Sequence, residues 1–264
     1  MADLPVLESK VAFDAPNAGK PSTTWYKVVG DLDKSSTPAL IVLHGGPGAG
    51  HEYLAPFTDL YKQYGIPIVF YDQIGCGRST HFQEKIRDDS FWTVDLFIAE
   101  LNNLVDHLGL REKGFFVAGQ SWGGMLAGSF PLFMEYGKTL RAALPADIRE
   151  ILEAGDRDGS YETSEYERAS AFFYSRHVCS LDPLPEPVKQ AFVNLKNDPT
   201  AYHTMQGPSE IVIDGNLKDW EGWKDAHNIQ VDTLLLNGRY DEVGEPCVEP
   251  WVSIITYFRV ASFC

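Results

Sequence analysis

The chain alternates between short apolar runs and longer amphipathic stretches. "PALIVLHGG" (38–46) and "IPIVFYDQIG" (66–75) are continuous apolar runs that end in glycine-bearing turns. Runs of this kind suit strands buried on both faces of a parallel sheet. Between them, "EYLAPFTDLYKQYG" (52–65) has helical spacing and stops at Gly65. "FWTVDLFIAELNNLVDHLGL" (91–110) is longer and amphipathic, which predicts a helix. "KGFFVAG" (113–119) is the next strand, and a helix starts from Ser121. Ahead of these, "KVAFDA" and "TTWYKVVG" flank a Pro/Gly/Asn-rich turn and predict a β-hairpin within residues 8–31. Strand–helix alternation of this kind predicts an α/β fold with a mostly parallel sheet.

The alternation stops after Gly128. "LFMEYGKTLRAALPADIREILEAG", "SYETSEYERASAFFYSRHV" and "PEPVKQAFVNLKN" all carry helical periodicity, separated by Pro and Gly. The expected organisation is therefore a core at 1–132, a helical cap at 133–225 and a return to the core at 226–264. That return begins at "VDTLLLNGRYDE" (231–242), a strand ending in a polar loop.

Composition narrows the partners. Asp and Glu outnumber Lys and Arg by 37 to 22, giving a formal net charge of -15. Such a surface repels phosphate backbones and anionic membranes, so nucleic-acid and membrane partners are not expected. It attracts a cationic substrate group. No apolar run reaches the ~18 residues that span a bilayer. The opening "MADLPVLESK" lacks the basic and apolar regions of a secretory signal. The four cysteines are scattered, which suits reduced thiols and a cytoplasmic setting.

The chemistry concentrates at strand ends. Gly119-Gln120-Ser121-Trp122-Gly123 is G-x-S-x-G, between a strand and a helix, the context in which a sharp turn lifts a serine hydroxyl clear of the sheet. His44-Gly45-Gly46-Pro47-Gly48 ends the strand two before it. Its glycines free backbone N–H groups to face a developing oxyanion, so Gly45 and Gly46 are candidate donors. The N–H of Trp122, next after the serine, is the other. His44 itself belongs to this loop and reads as structural. Asp72-Gln73-Ile74-Gly75-Cys76-Gly77-Arg78-Ser79 lacks the full dinucleotide fingerprint and reads as a rim-shaping loop. Asp241 lies 120 positions after Ser121, at a strand end, where the acid of such a constellation follows its nucleophile.

In combination, these four ordered motifs resemble the prolyl aminopeptidases (proline iminopeptidases), serine peptidases of the α/β-hydrolase superfamily. The resemblance covers residues 1 to about 130 and about 140 to 250. It implies an α/β-hydrolase fold with a helical cap. It also implies removal of an N-terminal residue, often proline, from short peptides through an acyl-enzyme, with no cofactor and no metal. Relatives act on amino-acid amides or other N-terminal residues. "MQGPSE" resembles the stretch where related enzymes place a glutamate on the substrate's α-ammonium, here Glu210, and the family's partner glutamate directly follows the acid, here Glu242. Two carboxylates around one ammonium fix a free amino terminus by charge-assisted bonds.

The chain departs from the family at two places. All seven histidines (His44, His51, His81, His107, His177, His203 and His227) precede Asp241, so no triad histidine is identified. Two core strands are expected to be missing, one after each catalytic loop, together with the histidine-bearing loop. The chain thus reads as internally deleted and altered toward residue 264. Open sheet edges and exposed apolar surface are the expected result. A serine without a base keeps only the residual catalysis of binding and the oxyanion hole. The alternative readings are therefore a catalytically inactive variant that at most binds amino-terminal ligands, and an amino-acid amidase or esterase.

Overall fold

The computed structural model describes residues 4–125, 140–210, 212–219, 221–238, 240–255 and 258–263. It divides into two units, Met1–Leu126 with Glu186–Met205, and Ala127–Pro185 with Gln206–Cys264.

The first unit is built on five strands: β1 (Val6–Phe13), β2 (Ser22–Val29), β3 (Ala39–Leu43), β4 (Ile68–Asp72) and β5 (Phe115–Gly119). Their order is β1-β2-β4-β3-β5. The hairpin is antiparallel, β2 runs antiparallel to β4, and β4, β3 and β5 are parallel. The apolar runs read as doubly covered strands are buried along their whole length in β3 and β4. β5 departs from that expectation. It is the edge of the sheet, and Phe116 and Val117 are 54% and 52% exposed. A strand paired on one side only leaves an uncovered flank.

Helices α1 (Thr58–Tyr64), α2 (Val94–His107), α3 (Leu110–Lys113) and α4 (Trp122–Met125) follow the strands. α1 ends where Gly65 adopts φ +68°, the left-handed cap that glycine takes without Cβ strain. α2 starts at Thr93, whose side chain accepts the Leu96 N–H at 3.2 Å. Its inner face buries Leu96, Phe97, Glu100, Leu104 and Val105, and Leu104 and Val105 pack on the sheet with Ile41, Val69 and Tyr71.

The expected cap contributes α5 (Ala146–Asp158), α6 (Ser164–His177), α7 (Glu186–Asn197) and the short α8 (Thr200–Met205). The predicted helical stretch before Ala146 lies partly outside the described residues. Here α7 and α8 belong to the first unit and α5 and α6 to the second, so the segment 133–225 is divided between the two. Leu144, Ile148, Leu152, Tyr166, Ala169 and Phe173 form the core between α5 and α6.

Among the described residues, none between Gly119 and Thr233 lies in a strand, in keeping with the first expected gap. The second expectation is corrected. After the Asp241 loop come α9 (Glu245–Ile254) and a strand, β7 (Phe258–Phe263), parallel to β6 (Thr233–Gly238). A parallel return needs a crossover segment, and α9 supplies it.

Candidate active site

The serine turn is built by exclusion of side chains. Ser121 has φ +51°, a backbone state that a non-glycine residue adopts only where its surroundings impose it. Gly123 and Gly119 impose it. A Cβ on Gly123 would run into the Leu43 carbonyl, and one on Gly119 into the Gly123 carbonyl. The Gln120 N–H bonds the Leu43 carbonyl oxygen at 3.2 Å, and the Met125 N–H closes on the Ser121 carbonyl at 2.7 Å. Helix α4 is thus pressed against β3, and the serine is at the crest of the turn.

The His44–Gly48 loop lies alongside. A Cβ on Gly45 would come within 3.1 Å of the Ser121 Cβ. The three expected oxyanion donors differ in their state. The Gly45 N–H donates to the Tyr53 hydroxyl at 2.6 Å, and that hydroxyl donates on to Gln120 Oε1 at 2.6 Å. Gly45 is therefore committed to a structural relay. Among the described residues, the N–H groups of Gly46 and Trp122 have no such partner.

His44 is fully buried and fixed as a neutral ring. Its Nδ1 faces the Gly45 carbonyl oxygen at 2.9 Å and so carries the proton, while Nε2 accepts the Gln73 N–H at 3.0 Å. Burial holds its pKa below the usual histidine value, outweighing the nearby Asp72 charge. Gln73 reaches the other way with its side chain, whose oxygen accepts the Trp122 indole N–H at 2.9 Å. One residue thus joins the His44 loop to the serine turn.

The loop after β4 is held by Asp72. Its carboxylate accepts the His51 N–H at 3.1 Å, His51 Nδ1–H at 2.7 Å and the Arg78 N–H at 2.9 Å. Burial raises its pKa, but these bonds and the adjoining histidines prevail and hold it low.

The second unit carries the other expected residues. Asp241 Oδ1 accepts the Val243 N–H at 2.8 Å, and burial lifts its pKa above the ordinary aspartate value. Glu242 has a buried Oε2 without a partner among the described residues. Burial, then the charge of Glu210, then that of Asp241 push its carboxyl well up. Tyr174, on α6, is pushed up by burial and by the same two glutamates. Glu210 and Glu242, 32 positions apart in sequence, are thus electrostatic neighbours.

An α/β-hydrolase fold profile matches residues 38–132. The proline iminopeptidase of Saccharolobus solfataricus is 36% identical over 230 residues, covering 80% of this chain and 72% of its own. The chain belongs to the proline iminopeptidase family. The solved proline iminopeptidase of Mycobacterium smegmatis is 32% identical with a TM-score of 0.82, covering 97% of this chain and 90% of that one. The crystal structure of VinJ is 37% identical with a TM-score of 0.89 over the same shares.

Family membership sharpens the question of the base. Five of the histidines are engaged within the first unit or in local turns: His44 and His51 as above, His81 with Asp198, His107 with the Tyr26 hydroxyl, and His227 with the Lys224 carbonyl. His203 stacks at a tilt beside Tyr202. His177, at the end of α6, meets the Asp241 loop, with Nδ1 2.9 Å from the Tyr240 carbonyl oxygen. Sequence reasoning missed it, along with Tyr53, Gln73 and Tyr174. Among the described residues, no helix is long and apolar enough to cross a membrane.

Proposed function

We propose that this chain is a serine aminopeptidase of the proline iminopeptidase type, acting in the cytoplasm on short peptides or amino-acid amides with a free N-terminus. The observation that carries this reading is the Glu210–Glu242 pair. A buried carboxyl with an unpaired oxygen beside a second carboxylate favours its protonated form until a cation completes the pair. An α-ammonium group is such a cation, and the name of the related proline iminopeptidases fits it.

In this reading Ser121 Oγ attacks the first carbonyl carbon of the substrate and passes its proton to a base. The oxyanion is received by the N–H groups of Gly46 and Trp122 rather than that of Gly45, which Tyr53 occupies. Collapse expels the shortened peptide as its amine, which takes up the proton, and water then hydrolyses the ester. Asp241 orients the base. None of the 23 residues that follow Asp241 in the sequence is a histidine, which leaves the base unassigned and admits a second reading. In that reading the chain binds amino-terminal ligands without turnover. An amidase or esterase role uses the same Ser121 chemistry.

Turnover of a fluorogenic proline amide, measured beside Ser121→Ala and beside calorimetric proline binding, separates them. Turnover lost in Ser121→Ala is the expected result. Binding without turnover selects the second reading, and neither binding nor turnover overturns both.

A further inference from the structure

Helix α2 turns one acidic side chain into the core. Glu100 is fully buried between β2 and the loop after β4. Its Oε1 accepts the Thr24 hydroxyl at 2.5 Å and the Ile74 N–H at 3.0 Å. Its Oε2 is buried with no partner among the described residues. Ile74 follows Gln73, the residue that bonds His44 with its N–H and the Trp122 indole with its side chain. One turn earlier on α2, Phe97 packs edge-on against the Trp122 ring, centroids 5.5 Å apart. The same helix face therefore supports Trp122 from two directions.

We propose that Glu100 is a positioning residue: it fixes the Ile74 peptide and, through the adjoining Gln73, sets the place of Trp122 beside Ser121. The inference rests on the reading of Trp122 as an oxyanion donor only for its catalytic consequence, not for the linkage itself. Glu100 does this as a neutral acid. An ionised carboxylate with one unpaired oxygen in this core is strongly penalised. Burial pushes its pKa up to about 8 against the bonds from Thr24 and Ile74, and the charge of Asp72 adds to the rise. The other titratable groups facing it, Tyr71 from β4 and Cys76 from the loop, are themselves pushed well up by burial and stay neutral. Above about pH 8 the carboxyl ionises, and the Ile74–Gln73 segment must shift to hydrate it.

The test reads the indole N–H resonance of Trp122 in 15N-labelled free protein from pH 6 to 10, assigned with Trp122→Phe. In the wild type it is expected to move with a midpoint near 8. In Glu100→Gln, which keeps the acceptor oxygen and stays neutral, it should hold the low-pH position throughout. Because this readout needs no turnover, an inactive chain leaves it intact. Where turnover is measurable, the fall in kcat above pH 8 disappears in Glu100→Gln with KM unchanged. A wild-type resonance that ignores pH, a Glu100→Gln resonance that still titrates, or a Glu100→Gln chain that does not fold each overturns the proposal.

Discussion

His177 donates its Nδ1–H to the carbonyl oxygen of Tyr240 at 2.9 Å, and the Glu242 N–H returns a bond to the His177 carbonyl at 3.2 Å. The end of α6 is stitched to both sides of Asp241. Replacing His177 with Ala removes the side-chain stitch and keeps the backbone one. A neutral bond at a part-exposed site contributes about 0.5–1.5 kcal/mol. The expected outcome is a loss of that size in urea unfolding, with faster amide exchange at Asp241 to Val243. Unchanged exchange there would show that the loop is held by other means.

In the proposed function, the Glu210–Glu242 pair makes binding of an amino terminus a proton-linked event. Burial and its two acidic neighbours push the Glu242 carboxyl up and favour its protonated form, yet only the ionised form pairs with an ammonium. Binding of a free amino terminus should therefore release protons, and affinity should rise with pH across the elevated pKa. Calorimetry of proline binding in buffers of different ionisation enthalpy measures the release directly. Glu242→Gln is expected to weaken binding about tenfold to a hundredfold, the loss of one charge-assisted bond. Heats that do not depend on the buffer would rule the linkage out.

Gly123→Ala sets two effects against each other. Alanine in a helix is favoured over glycine by about 1 kcal/mol. The added methyl, however, meets the Leu43 backbone carbonyl, which belongs to a buried strand and cannot yield. Overpacking of this kind costs about 1–3 kcal/mol, so net destabilisation and a displaced Ser121 are expected. Gly124→Ala is the control, since its nearest neighbour stands at 3.2 Å. Thermal unfolding of the pair should rank Gly123→Ala well below Gly124→Ala.

His81 and Asp198 supply a pH signature. The ring nitrogens face Asp198 Oδ2 at 2.5 Å and the Gly77 carbonyl oxygen at 3.0 Å, both acceptors, so the imidazolium form satisfies both. The Asp198 bond raises the His81 pKa. Burial raises that of Asp198, but the bonds from His81 and Thr200 prevail and lower it. The His81 contribution is fully present below its unfolded pKa of about 6.5 and is lost as pH rises through the elevated folded value. The Asp198 contribution is present above about 3.9 and is lost as pH falls through the depressed one. Wild type should exceed His81→Gln by about 1 kcal/mol near pH 5, since the ring is part-exposed, and the gap should close in alkaline solution. A gap that is constant from pH 5 to 9 would contradict the charged clamp.

What the sequence made legible was whatever depends on local sterics. The turn at Ser121 could be read because its glycines are demanded by backbone contacts with Leu43 and with each other. The buried β3 and β4 could be read because nothing else tolerates such runs. Long-range commitments were not legible. Nothing near Gly45 announces that its N–H belongs to Tyr53, eight positions later. β7 escaped notice because the residues after Trp251 depart from the family's continuation, and its strand state rests on a long-range pairing with β6. Glu100 left a faint trace: it occupies an apolar-face position between Phe97 and Leu104, where a charge has no place unless it is neutralised.

The register of the second sheet has a practical side. Gly238 is paired with Phe263, and the two strands run the same way, so both hand their chains out at one edge. The chain leaving Phe263 therefore sets out from the same side as the Asp241 loop. Assays of ligand capture or turnover are best run on protein freed of any polyhistidine tag, because a tag reaching that side would bring imidazoles to the very loop whose histidine supply is in question.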